Sequence, residues 1–479
     1  MRPLFISSIW TAVSLFVASN ATAQAAEPQT PAAPEPANAP AQPAPSDGSA
    51  SAQPAAAEPS AAASNPAAAI TQAPVAPPSE AAAPEAPVAK PVQPEPPRAE
   101  PVEAFKGFKV QAEDGAYQLR VGGYVQADGR FFTKAKGDPL DTFAVRRARI
   151  EFRGTLAKYF DILIQPELAE SKLTLLDAYG NIHLIDEVQL QVGKMKSPVG
   201  LEYLQSPTDL LFPEFGLPSL LVPQRDVGFF VHGDIAKGGV NYQLGVFNGV
   251  ADGTNGDLDE NSGKDIEYRV FVRPFKLAEV KPLEGFGIGL AGTSGKQIGV
   301  LSGFRTPGRE NFFSYAATAS AGGHRTRLSP QVNYYNGPVG VFGEYVHSEQ
   351  TITDGVATGK IANSAWQLAG SFVLGGKAGY KGAEPDAPLD PKANTWGALE
   401  LGLRYGQIAF EQQAFDFGFA DSTAAVKKAS SFGVAASWWF LKGTRAQLSY
   451  DTTAFDGGDV AGADRESEGV IVTRLQVAL

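Results

Sequence analysis

Three arginines, Arg147, Arg149 and Arg153, share one parity in the run Ala144 to Leu156. A guanidinium stays charged at any working pH and presents a planar fork of donors. Arginines stacked on one face of a strand could therefore hold a multivalent oxyanion. The same residues could equally close an internal ion-pair lattice with neighbouring acids, and the pattern leaves the two readings level. Other chemistry is poorly provided for. The chain has no Cys, which removes disulfides, thiolate metal sites and cysteine nucleophiles. His183, His232, His324 and His347 are too widely spaced for a local metal pair. Gly287, Gly289 and Gly292 match a dinucleotide fingerprint literally, but no helix follows to receive a pyrophosphate. Gly295-Lys296 is followed by Gln297 and lacks the upstream Gly at 290, so it is not a phosphate loop. Asp257, Asp259 and Asn261 alternate as in a calcium loop, yet Ser262 stands where Gly is needed and Tyr268 where Glu is needed. His183, Asp177 and Tyr179 share a face with no nucleophile in register. No enzyme, cofactor or metal is expected. A formal net charge of −11 argues against a nucleic-acid partner.

The elements that must position these residues read as strands. From Phe105 onward apolar and polar residues alternate over stretches of about ten, the mark of strands with two different faces. Tyr117, Leu119, Val121, Val125 and Ala127 oppose Gln118, Arg120, Tyr124, Gln126, Asp128 and Arg130. Ala148, Ile150 and Phe152 oppose Arg147, Arg149, Glu151 and Arg153. The pattern gives sixteen strands, near 117–132, 143–156, 159–169, 173–185, 188–196, 227–236, 239–248, 266–275, 285–294, 324–336, 338–349, 363–375, 395–410, 430–441, 443–454 and 468–479. Short turns fall at 157–158, 185–187, 236–238, 337 and 442; long connections fall at 197–226, 249–265, 295–323, 350–362, 411–429 and 455–467. Two connections break this parity, a brief one at 170–172 and a long one at 376–394. An even count of antiparallel strands with short turns on one side and long loops on the other predicts an all-β, closed 16-stranded transmembrane barrel, because lipid cannot satisfy an open sheet edge. Trp366, Trp396, Trp438 and Trp439 near strand ends fit interfacial girdles.

The first hundred residues differ. One Arg, an apolar run from Leu4 to Ala18 and Ala21-Thr22-Ala23 make residues 1–23 a secretory signal peptide, too short to span a bilayer as a helix. Residues 24–100 hold 27 Ala and 19 Pro and no aromatic residue, so they cannot build a core. Residues 24–104 are expected to form an extended Ala/Pro-rich periplasmic linker, either a spacer in contact with the cell wall or a tail without partner. The barrel domain is expected over 105–479, in the outer membrane of a Gram-negative-type envelope and in contact with its lipid.

With the apolar face on lipid, the polar face lines the lumen and its charges decide what passes. Arg120, Arg130, Arg147, Arg149, Arg153, Arg269, Arg273, Arg325, Arg327, Arg404, Arg445 and Arg474 are expected inward. Nine acids face them, Asp128, Glu151, Asp161, Glu167, Asp177, Glu267, Glu344, Glu400 and Asp451, leaving a small cationic excess in an acidic chain.

The segments FAVRRARIEFRG (143–154), QVGKMKSPVGLE (191–202), LVPQRDVGFFVHG (221–233), YQLGVFNG (242–249), RVFVRPF (269–275), WQLAGSFVLGG (366–376) and TRLQVAL (473–479) together resemble the phosphate-selective porins O and P. The resemblance implies a sixteen-stranded channel, commonly a homotrimer, that folds its third outer loop into the pore as a constriction, here residues 197–224. Phosphate-selective members are expected to carry lysines on that loop. This loop instead holds Glu202, Asp209 and Glu214 and neither Lys nor Arg; Lys194 and Lys196 stand at its entry and Arg225 at its exit. The chain ends in Leu479 where such barrels usually end in Phe. The expected function is passive diffusion of small hydrophilic solutes with a preference for anions such as phosphate. The alternatives are a weakly selective general porin and a structural link from outer membrane to cell wall.

Overall fold

The computed structural model describes residues 107–171, 173–259 and 261–479. The expected signal peptide (1–23) and linker (24–104) lie outside the described residues, as do the first two residues of the expected barrel domain. Sixteen long strands run β1 (Gln118–Lys134), β2 (Thr142–Leu156), β3 (Phe160–Glu167), β4 (Thr174–Ile185), β5 (Val188–Lys196), β6 (Arg225–Ile235), β7 (Val240–Phe247), β8 (Asp265–Val272), β9 (Phe286–Gly299), β10 (Ser320–Asn336), β11 (Val339–Thr353), β12 (Thr358–Leu374), β13 (Ala398–Ala409), β14 (Val426–Leu441), β15 (Thr444–Gly457) and β16 (Glu468–Ala478). Each pairs antiparallel with the next, and β16 returns to β1 in the register Tyr124↔Ala478 to Lys134↔Gly469. The sheet is therefore closed, and a short strand, Phe108–Gln111, adds to the start of β1.

Period two sorts the side chains. Outward, Leu119, Ile162, Val231, Leu244, Val270, Leu290, Leu368, Leu403, Leu448 and Leu475 are all exposed. So large an apolar belt is incompatible with water and matches a hydrocarbon surface. Trp366, Trp396 and Trp438 join it, but Trp439 is 1% exposed and faces inward, contrary to the girdle expected of it. Its Nε1 donates to Glu400 and Arg445 lies over its ring, so its neighbours inside hold it there.

One connection differs from the sequence reading, and the long one at 376–394 that broke the turn parity is borne out. Residues 350–362 were expected to be a long loop, but β11 and β12 continue upward and leave only a tight turn between Thr353 and Thr358. The long connection 375–397 sits on the short-turn side and folds into the barrel. Gly376–Lys377 pairs with Glu384–Pro385, and Ala383 is fully buried against Val373, Ala398 and Trp439. Gly193 marks one place where the wall demands glycine: its φ is +132°, and a Cβ would lie 2.3 Å from the Ala178 carbonyl oxygen.

Candidate functional site

The twelve predicted arginines line the inner wall, and most of them are ion-paired. Arg149 binds Glu167 at 2.7 Å, Arg153 binds Glu151, and Arg325 binds Asp265 at 3.1 Å. Arg327 bridges Asp252 and Asp265, Arg404 bridges Glu202 and Asp451, and Arg474 grips Asp128 through two bonds of 2.7 Å. Arg147 reaches Glu214 at 3.3 Å. Among the described residues Arg120, Arg130, Arg269, Arg273 and Arg445 have no carboxylate in salt-bridge range. Of these, Arg269 donates to Gln331 and Asn241, Arg273 to the Gly238 carbonyl and Arg445 to the Leu210 carbonyl. The ion-pair lattice takes seven of the twelve, among them all three arginines of the β2 row, Arg147, Arg149 and Arg153.

Much of the wall's hydrogen bonding is spent on the loop 197–224. Gln126 (β1) and Gln476 (β16) donate to the carbonyls of Pro207 and Thr208, both at 3.0 Å. Arg445 and Gln447 (β15) donate to Leu210 and Leu211, Arg474 to Pro213 and Arg404 to Glu214. A loop inside a barrel has carbonyls with no strand partner, and long donors from the wall meet that need. On another stretch Glu344 (β11) accepts from the backbone N–H groups of Leu201 and Glu202, and Gln367 (β12) donates to both Glu344 and Glu202. The loop's Val199, Leu217, Leu221 and Val222 pack into an apolar cluster with Phe304, Phe312, Phe313, Phe410, Phe419 and Phe455 from the outer loops and strand ends. Tyr380, from the inward connection 375–397, donates to the Leu201 carbonyl at 2.5 Å and accepts from Gln205 at 2.8 Å.

Glu214 is the most heavily served group of the loop. Arg146 binds it through two bonds of 2.6 and 3.1 Å, with Arg147 at 3.3 Å and Arg474 at 3.5 Å. Burial alone would raise this carboxyl, but the three guanidiniums hold it well below the usual carboxylate range. Arg146 escaped the sequence reading because strict alternation puts it outward. A register shift between Gln126 and Ala127 on the partner strand leaves one extra β2 residue at this point, and Arg146 turns to the lumen beside Arg147. Two adjacent arginines in an alternating strand were the available signal. Asp209 lies elsewhere on the loop, accepts from Thr208, and is pushed upward by burial.

The residues flanking the loop are committed too. Lys194 pairs with Asp257 and donates to the Leu175 carbonyl. Lys196 donates to the Tyr203 and Gln205 carbonyls, and Arg225 grips Asp177 at 3.0 to 3.2 Å and donates to the Tyr203 hydroxyl. The acidic stretch 252–265 is neutralised in the same way, with Asp252 on Arg327 and Asp259 on Lys264.

Open space remains along β1 to β5. A cavity of about 300 Å³ is lined there by Lys109, Arg120, Arg153, Asp161, Tyr179 and Gln191. Lys109, Arg120 and Arg153 sit side by side across three strands in register. Larger grooves, one of about 810 Å³ beside Trp438, Leu448 and Leu475, lie on the lipid-facing surface instead.

A closed barrel with an apolar exterior and a polar, loop-filled interior is the geometry of a porin, and residues 119–479 match the family described as phosphate-selective porin O and P. The chain belongs to that family. It is a porin of the outer membrane, a family of channels. No curated protein matches its sequence. Among solved structures it is similar in fold to the outer membrane channel DcaP of Acinetobacter baumannii, at 11% identity and a TM-score of 0.50, covering 78% of this chain and 100% of that one. Vibrio cholerae OmpT in a trimer form is 10% identical with a TM-score of 0.48 (76% of this chain, 100% of that one). Salmonella typhi OmpF in complex with daunomycin is 13% identical with a TM-score of 0.47 (77% and 100%).

Proposed function

We propose that the porin is a passive, anion-preferring diffusion channel for small hydrophilic solutes such as phosphate, with its aqueous path along β1 to β5. The observation that carries this reading is the row Lys109, Arg120, Arg153 on the 300 Å³ cavity. Arg153 is paired with Glu151, but Lys109 and Arg120 have no carboxylate in salt-bridge range among the described residues. Asp161 is the single acid on that cavity, and Thr155 and His183 already engage it. Half-buried cations without an acid partner attract anions into a narrow path and release them again because no single site is tight. Loop 197–224 acts as the constriction. The porin assembles as a homotrimer, and residues 24–104 form a periplasmic linker after cleavage of the signal peptide.

The test is the reversal potential of the reconstituted mature porin across a potassium chloride gradient, followed by titration of phosphate against the chloride current. Anion selectivity with phosphate block supports the reading. A near-zero or cation-directed potential without block supports a weakly selective porin, a reading favoured by the pairing of seven of the twelve arginines with acids. Cross-linking in the membrane tests the trimer.

A further inference from the structure

Loop 300–319 leaves β9 and returns to β10, yet its tip lies on the opposite side of the barrel mouth. Gly308 stands against the inward carboxylate of Glu468 on β16 and the ring of Phe132 on β1; an added Cβ would meet them at 2.3 and 3.1 Å. Arg309 donates to Glu170, in the connection between β3 and β4, at 2.7 Å. Arg465 donates to the Asn311 carbonyl at 2.6 Å. The loop therefore crosses the mouth and ends over the wall that lines the open half of the lumen. Around this tip stand Arg146, 4.0 Å from Glu170, and Arg130, an inward-facing buried residue of β1.

The two parts of the loop are held very differently. Its base is an aromatic core: Phe304, Phe312 and Phe313 are each at most 1% exposed, and Phe313 stacks on Phe410 with centroids 3.8 Å apart. Its tip, residues 306–310, carries no large apolar side chain; Thr306, Pro307 and Gly308 are buried, and Arg309 and Glu310 are half-buried. The Arg309–Glu170 pair that ties it to the far wall is partly exposed, with 28% and 50% of the two side chains accessible, and such pairs hold weakly. Beside it Glu468 is buried with no cation in salt-bridge range among the described residues, so this contact adds no ion pair to the fastening of the tip. A rigid base and a weakly fastened far end are the parts of a hinged cover.

We infer that residues 306–310 form a lid over the outer entrance on the β16–β1–β4 side, latched by the Arg309–Glu170 ion pair. The lid governs access to the path; it is distinct from the constriction and rests on the channel reading above. When the pair opens, the tip swings about the Phe304–Phe313–Phe410 core and the entrance widens.

The absence of Cys from the chain makes a direct test possible. Glu170→Cys and Arg309→Cys, introduced together, are joined by a bis-methanethiosulfonate long enough to replace the two side chains, and the link is removed with a reductant. Single-channel conductance in a planar bilayer is read before linking, after linking and after reduction. The lid predicts a drop of at least about two-fold on linking, reversed by reductant. A second pair of variants uses charge alone: Glu170→Arg raises the open fraction, and Glu170→Arg with Arg309→Glu restores the original value. Equal conductance in the linked and reduced forms, with linking verified by mass, overturns the lid. No current from the unmodified chain overturns the channel reading beneath it.

Discussion

Glu214 shows how one carboxylate organises this porin. It gathers Arg146, Arg147 and Arg474 onto loop 197–224, and removing its charge leaves three buried or half-buried guanidiniums facing each other. Glu214→Gln should therefore destabilise the barrel by about 3–5 kcal/mol, measured as a lower urea midpoint in lipid, and shift the reversal potential toward anions. Its pKa is depressed, so its contribution is fully present above the ordinary carboxylate range and is lost as the pH falls through its lower native value. Loosening of the loop, read as added current noise, should begin only in strong acid. Replacing Lys109 and Arg120 together by Gln removes the two cavity cations that lack an acid partner. The expected result is a reversal potential closer to zero with folding unchanged, since neither residue makes a side-chain hydrogen bond to the described protein.

The loop and its clamps act as one element. Gln126, Gln447 and Gln476 hold Pro207, Leu211 and Thr208 by their carbonyls, and each bond is worth about 0.5–1.5 kcal/mol net. Changing all three to Ala should leave the barrel closed but the 207–211 segment mobile, seen as excess single-channel noise and faster cleavage by protease at the loop. In the wall, Gly193→Ala brings a Cβ against the Ala178 carbonyl, so β4 and β5 lose register and refolding yield falls. Most of the strands were legible in sequence, because period two and turn residues are local signals. The ends of β11 and β12 were not: Thr351 to Thr358 carries enough polar residues to look like a loop, while pairing with each other extends both strands. Arg146 was missed for a related reason, since a bulge is fixed by the partner strand's register.

At the level of the molecule, the lumen of this porin is asymmetric. On the β9 to β15 side, aromatic side chains from the outer loops, loop 197–224 and the inward connection 375–397 fill the interior in succession. On the β1 to β5 side a cavity with a cationic row remains. Deleting residues 24–100 should leave single-channel conductance and selectivity of the folded barrel unchanged; envelope detachment in cells carrying that deletion, with permeability intact, would mark the segment as a structural link. Alternation of apolar and polar residues, an even strand count and the parity of turns were enough to specify a closed membrane barrel, since hydrocarbon leaves a backbone few other choices. Which arginines stay available to a solute was not accessible in that way. An ion pair joins residues far apart in the chain, such as Arg474 to Asp128 or Arg404 to Glu202, and only closure of the sheet and the inward fold of the loop bring them within reach.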